Sequence, residues 1–123
     1  MSVLWDNAGA GLFDNDHYYV ITGETHNSPS NMEAYGGAIT GIVGVYRDPL
    51  GTGKGSKLVM GSYGFCVGPR DYNGELKPRL HPRRLLDGII EGVRDGGNKS
   101  GIPTTFGQVL FNHGYLGKCL VFV

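Results

Sequence analysis

The clearest periodicity in the chain follows Pro82. Leu85, Leu86, Ile89, Ile90 and Val93 recur at i, i+1, i+4, i+5 and i+8, with Arg83, Arg84, Asp87, Glu91 and Arg94 on the intervening positions. That spacing predicts an amphipathic helix, with Pro82 suited to its first turn and Gly96-Gly97 to its stop. A second helix is predicted over residues 38–47, where Ile39, Val43 and Tyr46 fall at helical spacing among glycines. Asp48-Pro49 should end it, because the residue before a proline is pushed out of the α region. Runs rich in β-branched and aromatic residues predict strands at 17–23, 57–67, 103–111 and 117–123. Residues 24–37 (ETHNSPSNMEAYGG) and 68–81 carry proline, asparagine, serine and glycine in the density of loops.

The order β, α, β, α, β, β implies an α+β fold: a small mixed or antiparallel sheet with two main helices on one face. The uncovered face of such a sheet is apolar and needs a partner, so a homodimer through that face is expected. A length of 123 residues and 13.2 kDa suits one domain, 1–123. The chain stops at Val123 inside an apolar run, which suggests a fragment of a larger protein.

Composition narrows the classes. Glycine is 22 of 123, about 18% against a typical value of about 7%, so the backbone must be closely approached in many places. Eleven basic and eleven acidic side chains cancel, which argues against binding to nucleic acid or to an anionic membrane. No apolar stretch approaches the roughly 20 residues of a membrane span, and residues 1–11 lack the pattern of a signal peptide. A cytoplasmic protein is therefore expected, with Cys66 and Cys119 as buried, reduced thiols.

Two constellations bear chemistry. Glu24, His26 and Asn27 follow directly on a predicted strand and are closed by Pro29, which can set a hard-cation ligand beside a general acid or base. The alternative is that Thr25, Asn27 and Ser28 only satisfy backbone groups of a turn. At the end of the glycine-rich helix, Asp48 is a candidate second Mg²⁺ ligand and Arg47 a phosphate clamp, or the two form an exposed ion pair. The run 51–56 (GTGKGS) is not a Walker loop, since Gly55 stands where Ser or Thr must follow the lysine. The four histidines lack zinc-site spacing. Tyr18, Tyr19, Phe65, Phe106 and Phe111 read as core rather than as a base-stacking platform.

The runs 24–30 (ETHNSPS), 35–48 (YGGAITGIVGVYRD), 84–93 (RLLDGIIEGV) and 95–104 (DGGNKSGIPT) resemble the start of the ATP-binding half of the phosphoribosylformylglycinamidine synthases. These belong to the superfamily of aminoimidazole ribonucleotide synthetase, and the likeness extends from about Val20 to Val123. The resemblance implies an N-terminal synthetase-type domain whose sheet pairs with a homologous companion domain, with ATP and Mg²⁺ bound at the pairing. It implies ATP-dependent conversion of formylglycinamide ribonucleotide and glutamine to formylglycinamidine ribonucleotide in purine biosynthesis. By position, it implies Glu24 and Asp48 as Mg²⁺ ligands, His26 as the catalytic proton acceptor, and Thr25, His26, Asn27, Ser28 and Arg47 as substrate contacts. The family commonly has a second histidine where this chain has Ser28, and an ATP-contacting lysine where it has Thr22, which lacks that charge. Alone, the fragment is expected to be inactive.

Two other readings stand beside this one. One is a related ATP-using enzyme, such as an aminoimidazole ribonucleotide synthetase or a small-molecule phosphate kinase. The other is a non-catalytic nucleotide-binding or assembly domain. Glu24, His26, Arg47 and Asp48 together favour a catalytic site, because a structural nucleotide needs no proton acceptor.

Overall fold

In the computed structural model, which describes residues 7–77 and 79–123, nine elements follow one another. They are β1 (Gly9–Leu12), β2 (Tyr18–Ile21), α1 (Asn27–Met32), α2 (Ala34–Gly51), β3 (Gly61–Val67), α3 (Pro82–Ser100), β4 (Thr104–Phe111), a 3₁₀ turn (His113–Tyr115) and β5 (Leu120–Phe122). The expected α+β class holds. A mixed sheet ordered β4-β3-β5 is parallel between β3 and β4 and antiparallel between β3 and β5. Parallel neighbours cannot be joined by a tight turn, and α3 makes the crossover. β1 and β2 form a separate antiparallel hairpin, closed by the Asp14 carboxylate, which accepts from the backbone N–H of Asp16 and His17 at 2.9 and 2.8 Å.

Both main helices outrun their expected stops. α3 continues through Gly96-Gly97 because Gly96 is a packing residue: a Cβ there would lie 3.1 Å from Cβ of Ile42. The helix ends at Gly101, whose φ of 72° is the left-handed conformation a C-terminal cap requires. At the other end, His81 is the N-cap. Its Nδ1 accepts from the Arg83 N–H at 3.2 Å, and its Nε2–H donates to the Tyr72 carbonyl at 2.8 Å. α2 runs past Asp48-Pro49 to Gly51, with Pro49 so near the end that the missing N–H removes one bond from the last turn only. Thr52 caps that turn through its hydroxyl on the Pro49 carbonyl, 2.6 Å.

The expected loop at 24–37 is largely helical. Pro29 sits in the first turn of α1, where no intrahelical N–H is needed, and Gly36-Gly37 lie inside α2. The Gly36 N–H is taken by the Glu33 side chain. Of the strand expected at 57–67, only Gly61–Val67 pairs.

The core joins α2, α3 and the helix-facing side of the sheet. Ala38, Ile42, Leu86, Ile89, Val67 and Val121 are almost wholly buried there. Of the predicted apolar stripe on α3, Ile90 alone is exposed, beside β4. The space its partners need is made by glycine: a Cβ on Gly88 would come 2.6 Å from Cβ of Ala34, and one on Gly92 would strike the Tyr35 carbonyl oxygen. The two helices therefore meet almost backbone to backbone. On the far side of the sheet Phe106, Leu110 and Phe122 remain 59, 51 and 45% exposed. Phe106 and Leu110 stand opposite Ser62 and Cys66, and Phe122 opposite Gly64, so all three belong to the face away from the helices.

Cys66 and Cys119 are buried free thiols, as expected. Burial pushes the Cys119 thiol up to about 11. The unfolded thiol ionises near 8.5, so the neutral buried form stabilises the fold fully below that pH, and this contribution fades as pH rises toward 11. Thermal unfolding should show a falling melting temperature over that alkaline window, smaller in Cys119→Ala than in the parent. Gly92→Leu should destabilise the chain by about 3 kcal/mol or more through overpacking, whereas Gly51→Ala, with nothing within 4 Å of the new methyl, should be neutral or stabilising by up to about 1 kcal/mol. Urea titration of both variants measures the difference.

Candidate functional site

Residues 24–26 leave the β1–β2 hairpin extended and attach to β5. The Glu24 N–H donates to the Val123 carbonyl at 2.9 Å, the Val123 N–H returns to the Glu24 carbonyl at 3.0 Å, and the His26 N–H reaches the Val121 carbonyl at 2.8 Å. Thr25 bridges Phe122. The segment is thus a short fourth strand beside β5. Side chains alternate along it, so Glu24 and His26 share the helix-facing side with Val123 and Val121, and Thr25 faces the open side with Phe122.

The backbone then turns into α1, and side chains continue the ladder where the backbone leaves it. The Val121 N–H donates to Oδ1 of Asn27 at 2.7 Å, and the Cys119 N–H to Oδ1 of Asn31 at 3.3 Å. Ser30, fully buried, donates from its hydroxyl to the His26 carbonyl at 2.6 Å. The turn that carries the candidate residues is therefore fixed to β5 on one side and to itself on the other.

Beneath it runs α2. Gly37, Gly41 and Gly44 fall in steps of four and three, which puts them on one stripe of the helix. Gly37 lies against the Pro29–Ser30 backbone. A Cβ on Gly41 would be 2.9 Å from Cβ of His26, and one on Gly44 would be 2.8 Å from Oε2 of Glu24 and 3.7 Å from the Arg47 guanidinium. Asp48, half-buried, stands one turn beyond Gly44, about 6 Å along the axis. Nδ1 of His26 is, among the described residues, the one buried side-chain nitrogen or oxygen without a hydrogen-bond partner.

The structure thus brings Glu24 and His26 against the glycine stripe of α2, with the Arg47 guanidinium beside Gly44 and Asp48 one turn further along the helix. Ser28 is exposed in the first turn of α1, beside that stripe. Asn27 has its carbonyl oxygen committed to β5 and keeps its amide NH₂. Thr25 points to the other side of the sheet, and the Thr22 hydroxyl is engaged by the Asn7 carbonyl at 2.7 Å. Sequence reasoning missed Ser30, Asn31 and the specific pairing of Gly41 with His26 and Gly44 with Glu24. The four-three spacing of the glycines was the available signal.

Two hollows lie away from the candidate residues. One of about 550 Å³ is lined by Met32, Leu80, His81, Arg83 and Arg84, and one of about 410 Å³ runs between α3 and β4. No cluster of three or more His, Cys, Asp or Glu suited to a metal exists among the described residues. Glu24 and Asp48 carry carboxylates, the donor type Mg²⁺ takes from a protein, commonly one or two per ion with phosphate and water oxygens completing the shell.

Comparison with known proteins gives the family. The family model described as AIR synthase related protein, N-terminal domain, matches residues 5–123. The phosphoribosylformylglycinamidine synthase subunit PurL of Picrophilus torridus is 39% identical over 110 residues, which is 89% of this chain and 14% of that protein. The Thermoplasma volcanium subunit of the same name is 39% identical over 117 residues, 94% of this chain and 15% of its own length. The chain therefore spans about a seventh of these relatives. Among solved structures, Thermotoga maritima PurL complexed with ATP matches with a TM-score of 0.71 at 30% identity, covering 98% of this chain and 18% of that one. The same protein complexed with FGAR matches at 0.70 and 31%, covering 96% and 17%. With a family match over nearly its whole length and these relatives aligned across the α2 stripe, the chain belongs to the AIR synthase related protein family and carries its N-terminal domain.

Proposed function

We propose that this chain is the N-terminal, ATP- and Mg²⁺-binding part of a phosphoribosylformylglycinamidine synthase. That enzyme couples ATP hydrolysis to the conversion of formylglycinamide ribonucleotide and glutamine into formylglycinamidine ribonucleotide and glutamate. The observation that carries the reading is the seating of Glu24 and His26 on the glycine stripe of α2, with Arg47 beside Glu24 and Asp48 one turn further along the helix. PurL relatives at about 39% identity, and a solved PurL complexed with ATP and with FGAR, support it.

In this reading Glu24 and Asp48 hold Mg²⁺, which neutralises charge on the phosphoryl group being transferred to the formamide oxygen. Arg47 presents its guanidinium fork to an anionic group of the substrate. His26 accepts a proton as ammonia displaces the phosphate. Asn27 and Ser28 contact substrate, Asn27 through the amide NH₂ that β5 leaves free, while Thr25 faces the other side of the sheet. Thr22 occupies the nucleotide-facing position without a cation, so nucleotide contact there is through the hydroxyl or backbone only. A companion domain contributes the rest of the site, and the compartment is the cytoplasm. Among the described residues no helix is long and apolar enough to cross a membrane.

The exposed sheet face is the surface for that companion. With no companion present, two copies of the chain pair through it.

In the full-length protein, Glu24→Gln should lower Mg²⁺-dependent amidine formation by about 100-fold or more with the melting temperature unchanged. Wild-type turnover in that variant would remove Glu24 from the metal site. The 123-residue chain by itself should sediment as a dimer at micromolar concentration and as a monomer after Leu110→Asp. A monomeric parent chain would count against pairing through this face.

A further inference from the structure

We infer that Gly44 and Gly41 are positioning residues with separate tasks, Gly44 setting the Glu24 carboxylate and Gly41 setting the His26 ring. The inference rests on the reading of Glu24 as a cation ligand and His26 as a proton acceptor, and adds to it two residues that touch neither cation nor substrate.

Three independent contacts fix the segment 24–30 where it crosses α2. β5 fixes its backbone through Glu24 and His26, the Asn27 side chain extends that ladder to Val121, and Ser30 closes the turn onto the His26 carbonyl. A segment pinned on one side has its height above the helix set by what the helix presents. At positions 41 and 44 the helix presents hydrogen atoms alone.

The two positions differ in what a methyl group would displace. At Gly44 the added carbon would stand 2.8 Å from Oε2 of Glu24, the far end of a flexible side chain, and 3.7 Å from the Arg47 guanidinium. The carboxylate can swing away without moving backbone, so the fold is kept and the ligand geometry is lost. At Gly41 the carbon would stand 2.9 Å from Cβ and 3.2 Å from Cγ of His26, and 3.6 Å from Val123. Those atoms adjoin a backbone tied to β5 and cannot swing. The ring moves only if the backbone at His26 moves with it, while Glu24 stays pinned by its two hydrogen bonds to Val123.

The test uses the full-length protein and four variants, Gly44→Ala, Gly41→Ala, Glu24→Gln and His26→Asn, with Gly51→Ala as a helix control that meets nothing within 4 Å. Gly44→Ala should raise the Mg²⁺ concentration for half-maximal turnover by about 10-fold, with kcat restored at saturating Mg²⁺. It should weaken binding of Mn²⁺ alone, read from the free-ion paramagnetic resonance signal, by a similar factor. Gly41→Ala should lower kcat by about 100-fold while leaving the half-saturating Mg²⁺ concentration and Mn²⁺ binding as in the parent. A general loss of packing would move both quantities together in both variants, and that result overturns the inference. If Glu24→Gln weakens Mn²⁺ and His26→Asn lowers kcat but the alanine variants behave as the parent, the inference fails and the functional reading stands. If Glu24→Gln leaves Mn²⁺ binding untouched, the functional reading fails first and takes the inference with it.

Discussion

Everything in this fold depends on how closely other backbone can approach α2. The helix is covered on two sides by elements that lie nearer than ordinary side chains permit. α3 reaches it through Gly88, Gly92 and Gly96, so that the small residues Ala34 and Ala38 suffice to fill the gap. On its other side the helix supplies the glycines itself, at positions 37, 41 and 44, and receives the 24–30 segment. Intrinsic helix propensity is sacrificed at each of these positions, about 1 kcal/mol relative to alanine. What offsets it is burial: Ile42, Leu86, Ile89 and Val121 close over the helix with essentially no exposure.

This explains which parts of the fold were legible from composition and spacing. The apolar stripe of α3 announced itself because Leu85, Leu86, Ile89 and Val93 are large and regularly placed. α2 was recognised only in its middle, since Gly36 and Gly37 resemble a stop and Pro49 resembles an end. Both signals are local, and both were overridden by contacts with residues distant in the chain. The same holds for Gly96-Gly97, where Gly96 serves packing against Ile42 rather than termination. β1 was invisible because its GAGL run has no alternation and its pairing is supplied by β2.

The candidate site was legible to a different degree. Residue type and order alone placed Glu24, His26, Arg47 and Asp48 among the candidates, and the structure sets Glu24 and His26 against the stretch of α2 that leads to Arg47 and Asp48. Thr25 looked like their companion from adjacency in sequence, but extended backbone sends consecutive side chains to opposite faces. Asn27 looked like a ligand residue, yet half of its carboxamide replaces a strand hydrogen bond to Val121. Neither fact is readable without knowing that 24–26 joins β5.

That joining has a temporal side. Glu24 bonds to Val123 and His26 to Val121, partners separated by nearly the full span of the chain. The loop closed by these bonds is among the longest this sequence can form, and contacts of such separation are made late because their entropy is recovered only when intervening structure exists. During synthesis the segment carrying Glu24 and His26 emerges early but has no strand to dock on until β5 has left the ribosome. Residues 24–26 therefore acquire their geometry from residues 121–123, and a nascent chain that has not yet reached Val121 lacks the strand on which they dock.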